Sequence, residues 1–370
     1  MFKYKVCVYA ICKNESKFVD KWMDSMSEAD LVVVMDTGSD DDTVDKLRKR
    51  GALVYVDKID PWRFDVARNK SLDYVPHDID ICVCTDLDEV FEKGWRKNLE
   101  LAWKTHKQIN KGKISKTGKY LYNWSLKEDG TPDIQFNYFK VHERIGFRWK
   151  CPVHEYIEYK GTLPLETVYI KGMVLNHYPD STKSRGNYIN LLEMAVKEDP
   201  KDDRMKYYLG REYMYLNKWQ DCIQTLKEYL EMPNATWNEE RCAAMRWIAK
   251  SSFESKNIEE AYVWYYKAIA EAPYMRDPYI EFARMCYTLH DWRMCLFLAE
   301  EALKIKEKTF TYVNIGCAWD FTPNDLCAIA AFHLKLLERS LKHAKEALSY
   351  DINDARLQQN VKIIEKALIK

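Results

Sequence analysis

Net charge is missing from this sequence: its 370 residues carry 57 Lys plus Arg against 57 Asp plus Glu. A neutral chain has no overall field to draw in nucleic acid or an anionic membrane, so its specificity rests on local sites. Long apolar runs are also missing, and no window approaches the ~18 residues of a membrane span. Residues 1–12 (MFKYKVCVYAIC) alternate as a strand does, without the apolar region and small-residue cleavage site of a signal peptide. No Cys-x-x-Cys pair occurs among Cys7, Cys12, Cys82, Cys84, Cys151, Cys222, Cys242, Cys286, Cys295, Cys317 and Cys327, which argues against a zinc site. Scattered through apolar runs, they read as reduced, buried thiols of a cytoplasmic protein.

What is present divides into two halves, and the length suffices for two separate cores. Up to about residue 110, short β-branched runs (VCVYAI, LVVVMD, ALVYVD, DICVCTDLD) alternate with helical stretches at Ser16–Met26, Thr43–Arg50, Asp65–Val75 and Glu92–Lys107. That alternation predicts a mainly parallel sheet with helical crossovers. Polar clusters follow the strand ends at Asn14 and Glu15, at Asp36 to Asp41, and at Asp86 and Asp88, the edge where open α/β sheets bind ligands. KGKISKTGK reads as a polar connector, after which YLYNWSL, IQFNYFKV, GFRWK, EYIEY and TVYIKGMVLNHY predict antiparallel strands, with KEDGTPD as a turn.

From about Ser181 onward nothing reads as a strand. Gly210, Ala249, Ala283 and Ala328 each have a second small residue twelve positions later, at Cys222, Ala261, Cys295 and Ser340. Three of them are also followed by Ala268, Ala302 and Ala347, with Tyr229 breaking that series. The offsets between units are 39, 34 and 45 residues. This register resembles the tetratricopeptide repeat, whose small residues let paired helices approach closely; an ordinary helical bundle is the alternative.

Asp86-Leu87-Asp88 directly follows the hydrophobic run ICVCT. Two carboxylates at a strand end suit Mg²⁺ or Mn²⁺ holding a diphosphate. A helix start with acidic residues before Glu89 and Glu92 would give the same letters.

Four segments resemble glycosyltransferase family 2, with its GT-A nucleotide-sugar fold: YAICKNE at Tyr9–Glu15, DTGSDDDT at Asp36–Thr43, PWRFDVARN at Pro61–Asn69, and the Asp-x-Asp. In the third, Phe64 precedes Asp65 where the family pattern has the reverse order. The resemblance implies an α/β GT-A domain over residues 1–180, followed by an all-α tetratricopeptide-like repeat domain over 181–370. It implies donor binding by Ala10, Asn14, Glu15, Asp36, Gly38, Ser39, Asp65, Arg68, Asp86 and Leu87. Asp36 would accept the imide hydrogen of a uracil, and Arg68 would pair with the diphosphate or else with Asp36 or Asp65. WKCPVHEY, Trp149–Tyr156, resembles the element preceding the acceptor side, and makes Glu155 the expected base with His154 beside it. Asp129 and Asp133 are the alternative bases. The expected metal ligands are Asp86, Asp88 and His177, the last equally readable as a hydrogen-bonded histidine at the domain junction.

This architecture resembles the bacterial sublancin S-glycosyltransferase group. It implies inverting transfer of a hexose or N-acetylhexosamine from a UDP-sugar to a peptide or protein side chain, Cys, Ser or Thr. A surface polysaccharide or lipid-linked saccharide is the alternative acceptor, with the repeats then serving docking or a homodimer. A scaffold carrying a degenerate transferase domain is the reading from another class.

Overall fold

The computed structural model describes residues 4–105, 114–180 and 188–369. The chain divides into two compact units, residues 1–198 and 199–370. In the first, β1 (Val6–Cys12), α1 (Val19–Met26), β2 (Leu31–Asp36), α2 (Thr43–Lys49), β3 (Leu53–Val56), α3 (Phe64–Asp73) and β4 (Ile81–Cys84) alternate as their apolar periods predict. There follow β5 (Glu89–Phe91), α4 (Trp95–Thr105), β6 (Ser115–Leu126), β7 (Pro132–Glu143), β8 (Phe147–Lys150), β9 (Tyr156–Tyr159), β10 (Leu165–His177) and α5 (Tyr188–Glu198).

The main sheet has the order β3-β2-β1-β4-β7-β6-β10-β5, with β1 to β4 parallel and β7 antiparallel to both neighbours. Strand β1 is buried throughout because both faces are covered, as in parallel sheets generally. Val6, Val8 and Ala10 fill one layer with Trp22, Trp95 and Leu99, while Cys7 and Tyr9 fill the other with Leu72, Val75 and Trp149.

Two expectations need correction here. Residues 115–119 of the expected connector form the first half of β6, and its residues 111–113 lie outside the described residues. Strand β10 runs parallel to β6, not antiparallel. The alternative reading of a helix start after Asp88 is set aside, because Glu89–Phe91 form a strand that pairs with β10 at the sheet edge. KEDGTPD does turn: Lys127 N–H donates to Thr131 O at 2.8 Å, and Gly130 takes φ 80°.

The described residues of the second unit are helical, without strands: α6 (Asp203–Tyr215), α7 (Trp219–Leu230), α8 (Asn238–Glu254), α9 (Ile258–Glu271), α10 (Asp277–Thr288), α11 (Trp292–Lys304), α12 (Thr322–His333), α13 (Leu337–Leu348) and α14 (Ala355–Leu368). Helices α6 to α13 pack as four consecutive pairs. The small residues of the register are all buried, and Ser340 Oγ donates to Ala328 O at 2.7 Å, joining two members twelve positions apart. The backbone repeats too. Asn217, Lys256, His290 and Lys335 take left-handed φ of 58°, 67°, 58° and 63° after the first helix of each pair. Each N–H bonds three residues back, and the next N–H bonds five back, closing a Schellman turn that points the chain into the second helix.

All eleven cysteines are free thiols, ten of them buried. No helix among the described residues is long and apolar enough to cross a membrane.

Candidate active site

The carboxyl ends of β1, β2 and β4 converge, and the loops following β1 and β2 are tied to each other. Asn14 N–H donates to Ser39 Oγ at 2.8 Å, Asp40 N–H to Asn14 Oδ1 at 2.8 Å, and Glu15 N–H to Thr43 Oγ1 at 2.8 Å. Asp36 is fully buried, and one of its oxygens accepts the N–H groups of Gly38 and Ser39, both at 2.9 Å. Its other oxygen accepts the Ser39 hydroxyl. The carboxylate therefore shapes the turn, with Gly38 at φ 109°, and offers no open approach to a base in this geometry. Ala10 lies in the middle of β1, where Ser71 Oγ donates to its carbonyl at 2.9 Å, and Leu87 is buried in the core beside Trp22. Asp65 is engaged by Arg63, whose Nη2 lies 2.9 Å from it.

Arg68 is the centre of the cluster. Helix α3 presents this buried guanidinium to Asp86, with Nη2 to Oδ1 at 2.6 Å, and to Glu155, with Nε to Oε1 at 2.9 Å. Its partners are thus neither Asp36 nor Asp65. Burial opposes its charge, but Asp86, Cys84 and Glu155 hold its pKa well above the ordinary arginine value. The segment carrying Glu155 is fixed from α3: Asn69 Oδ1 accepts Trp149 N–H at 2.8 Å, Asn69 Nδ2 donates to Trp149 O at 2.9 Å, and Phe64 N–H donates to Pro152 O at 2.9 Å. Glu155 and His154 close the β8–β9 hairpin, where Cys151 and His154 take φ of 80° and 51°. The His154 ring stands edge-on to Tyr188 at 5.8 Å.

Lys140 of β7 was not singled out by the sequence. It is buried, with Nζ 3.1 Å from Asp86 Oδ2 and 4.0 Å from Glu89 Oε2, and it lies over the Tyr138 ring at 4.7 Å. Burial would raise the Asp86 carboxyl, yet Arg68 and Lys140 hold it well below the usual carboxylate range. Glu89 is pushed the other way by its burial, against Lys140, with Asp86 adding repulsion.

His177 arrives by register. Strand β10 pairs His177 with Glu89, and Tyr178 N–H donates to Asp88 O at 2.8 Å. His177 Nδ1 then meets Trp124 O at 3.0 Å, and because a carbonyl only accepts, Nδ1 carries the hydrogen. Nε2 faces Asp88 Oδ2 at 3.4 Å. The expected metal trio is thus divided: Asp88 and His177 face each other, while both Asp86 oxygens are held by cations. Among the described residues no group of three or more His, Cys, Asp or Glu is arranged to hold a metal.

Residues 7–160, which contain this cluster except His177, match the model for Glycosyl transferase family 2. The first unit carries a family 2 glycosyltransferase domain. The SPbeta prophage-derived glycosyltransferase SunS of Bacillus subtilis (strain 168) is 27% identical over 237 residues, covering 59% of this chain and 51% of its own length. Glycosyltransferase SunS of Bacillus phage SPbeta matches with the same figures. The chain spans about half the length of these curated relatives. Among solved structures, MamA protein shares 18% identity at a TM-score of 0.36, over 45% of this chain and 83% of its own. A tetratricopeptide repeat protein from Parabacteroides merdae ATCC 43184 shares 17% at a TM-score of 0.34, over 49% of this chain and 64% of its own.

Within the family 2 domain, the alternative bases sit elsewhere on the β6–β7 hairpin. Asp129 is exposed at the turn, where its Oδ1 accepts Thr131 N–H at 2.8 Å. Asp133 Oδ2 accepts Ser125 Oγ at 3.2 Å. Neither is among the partners of Arg68. Lys140 left no periodic trace in the sequence. The pairing of β7 with β6 shifts register between Tyr138 and Val141, which share one layer, while His142 meets Tyr9 in the other, so plain alternation along the strand does not carry through to Lys140.

Proposed function

We propose that the chain is an inverting glycosyltransferase that moves a hexose or N-acetylhexosamine from a UDP-sugar to a Cys, Ser or Thr side chain of a polypeptide. The observation that carries this reading is the line Glu155–Arg68–Asp86, which sets a carboxylate base and a carboxylate–cation cluster at two ends of one guanidinium. Arg68 engages Oε1 of Glu155, and Oε2 is the oxygen left to take the acceptor's proton. As that proton moves to Glu155, the acceptor oxygen or sulfur bonds to the anomeric carbon. The bond from that carbon to the diphosphate oxygen breaks on the opposite face, and UDP leaves with the electron pair. A thiol makes the smaller demand on the base because it ionises more readily than an alcohol.

The turn organised by Asp36, with Asn14, Glu15, Gly38 and Ser39, would cradle the nucleoside through its backbone, so Asp36 acts through the loop it holds. Asp88 and His177 suit two positions of a Mg²⁺ or Mn²⁺ ion that takes its remaining oxygens from diphosphate and water. Such an ion would neutralise charge on the departing diphosphate. Lys140 and Arg68 keep Asp86 ionised beside it, which maintains the polarity of the cleft. The relatives' description as glycosyltransferases and the family 2 domain support the same reading.

The test is incubation with several radiolabelled UDP-sugars and Mn²⁺, with intact-mass measurement on candidate peptides. A hexose or N-acetylhexosamine mass shift on a peptide is expected, with loss on Asp88→Ala and on EDTA treatment. Undiminished turnover in EDTA overturns the metal assignment. Sugar transferred only to saccharide acceptors moves the function to polysaccharide or lipid-linked chemistry, and no transfer or hydrolysis with any donor leaves a scaffold.

A further inference from the structure

The 45-residue spacing between Ala283 and Ala328 contains residues 305–321, which connect α11 to α12 although these two helices pack directly on each other. This segment turns at Thr311–Asn314, is extended at Ile315 and ends in a 3₁₀ turn, Gly316–Ala318. It reaches back across earlier pairs, and its contacts fall on their first helices. Tyr312 packs against Tyr208 of α6 at 6.3 Å and donates its hydroxyl to Glu240 of α8. Arg246 of α8 donates Nη2 to Val313 O at 2.8 Å, and Asp277 of α10 accepts Ile315 N–H at 2.6 Å.

Two of these contacts join buried charged side chains to main-chain groups of the segment. Arg246 and Asp277 are each 1% exposed at the side chain, and their charges stand 3.7 Å apart. Arg246 Nη1 also stands 3.3 Å from Glu281 Oε2 in an ion pair, while Arg246 Nε and Asp277 Oδ2 have no hydrogen-bond partner, so the segment uses only part of what the surface offers. A face meant only for apolar packing would not carry buried charges with spare donors and acceptors, which are costly to leave unmade. Stacked helix pairs present one helix of each pair along a common surface suited to polypeptide.

We propose that the first-helix surface of α6, α8 and α10 is a polypeptide main-chain binding site, and that residues 311–317 fill it as an internal ligand. A free polypeptide enters only where the segment leaves, so an acceptor bound by this chain is recognised outside this surface while the segment is seated. The inference is independent of the proposed sugar transfer.

The test uses the full chain with residues 308–320 replaced by a short Gly-Ser linker, and a synthetic peptide of residues 308–320 as probe. The linker variant is expected to bind the peptide at micromolar concentration, wild type to bind at least tenfold more weakly, and Arg246→Met in the linker variant to abolish binding. A folded linker variant that ignores the peptide overturns the proposal. A second measurement covers a linker variant that does not fold: hydrogen exchange in full-length Tyr312→Ala. Amides of residues 311–317 are expected to exchange at least tenfold faster while those of α8 and α10 keep their protection. Loss of protection in α8 and α10 together with the segment makes it part of the core and overturns the proposal.

Discussion

Arg68 reaches Glu155 through Nε at 2.9 Å, although the two residues lie 87 positions apart in the chain. The same guanidinium holds Asp86, so one side chain sets the spacing of two carboxylates on different elements. A lysine keeps the charge but not the fork that makes both bonds. Arg68→Lys is therefore expected to retain a folded protein with transfer reduced at least a hundredfold, measured by single-turnover kinetics. Arg68→Met, which leaves Glu155 without its cation and Asp86 with Lys140 alone, should cost about 3 kcal/mol in denaturant unfolding. Full activity in Arg68→Lys would show that charge alone suffices.

Glu155→Gln preserves shape and removes the basic oxygen. Transfer is expected to fall by roughly 10²–10⁴ while calorimetry finds UDP-sugar binding within a few-fold of wild type. Asp129→Asn and Asp133→Asn, on the hairpin away from Arg68, should keep transfer near wild type. The reverse pattern, with Glu155→Gln active and either hairpin variant dead, reassigns the base.

The strands and crossover helices were legible because β1, β2 and β4 carry unbroken apolar runs, which a strand buried on both faces requires. The convergence of Asn14, Asp36 and Asp86 followed from their places after those strands. Their individual duties did not. Asp36 looks identical in sequence whether it meets a base or caps its own turn, and only the buried geometry gives it to Gly38 and Ser39. Asp88 meets His177 through the pairing of β5 with β10, a three-residue strand too short to carry a period. Lys140 was hidden because lysines are mostly exposed, and its burial depends on Asp86 and Glu89 arriving from another strand. In the repeats the small residues were visible since helices touch there, whereas the left-handed positions hold Asn, Lys, His and Lys in place of the glycine that signals such a turn.

His142 gives the first unit a predictable acid response. The Glu143 carbonyl only accepts, so His142 Nδ1 carries the hydrogen of the neutral ring and Nε2 accepts the Tyr9 hydroxyl at 2.8 Å, while Trp149 Nε1–H donates to Tyr9 Oη at 2.9 Å. The Nδ1–H bond to Glu143 O is 2.7 Å long. Burial pushes its pKa down to about 4, against the Glu143 carbonyl and with Arg144 adding repulsion. Between the unfolded value of 6.5 and about 4, the unfolded chain binds a proton the folded chain refuses. Stability from this group is therefore constant above pH 6.5 and falls by roughly 3 kcal/mol as pH drops to 4. The check is urea unfolding across that window for wild type and His142→Gln. The variant should lose this part of the acid slope, so the difference between the two curves, in which the carboxyl titrations cancel, should fall by roughly 3 kcal/mol between pH 6.5 and 4. Parallel curves for the two proteins would place the proton elsewhere.

The repeat unit predicts opposite effects at two kinds of position. A Cβ on Gly210 would lie 2.3 Å from Leu226 Cδ2 and 2.5 Å from Cγ, so the pair α6–α7 has no room for it without moving the branch of Leu226. Gly210→Ala should cost about 1–3 kcal/mol by overpacking, despite alanine's better helix propensity. At φ 67° and 63°, Lys256 and Lys335 occupy backbone that glycine adopts without Cβ strain. Lys256→Gly and Lys335→Gly should each stabilise by about 1 kcal/mol, less the entropy of a freer unfolded chain. Denaturant unfolding of the full chain followed by helical circular dichroism reads both signs. Gly210 and Lys335 belong to the first and fourth pairs, and although Tyr312 reaches Tyr208 of α6, their effects should add within about 0.5 kcal/mol if each pair unfolds with its immediate neighbours. A double variant departing from that sum by more would mean that the array unfolds through a coupling longer than one interface, and the independent-pair picture would fail.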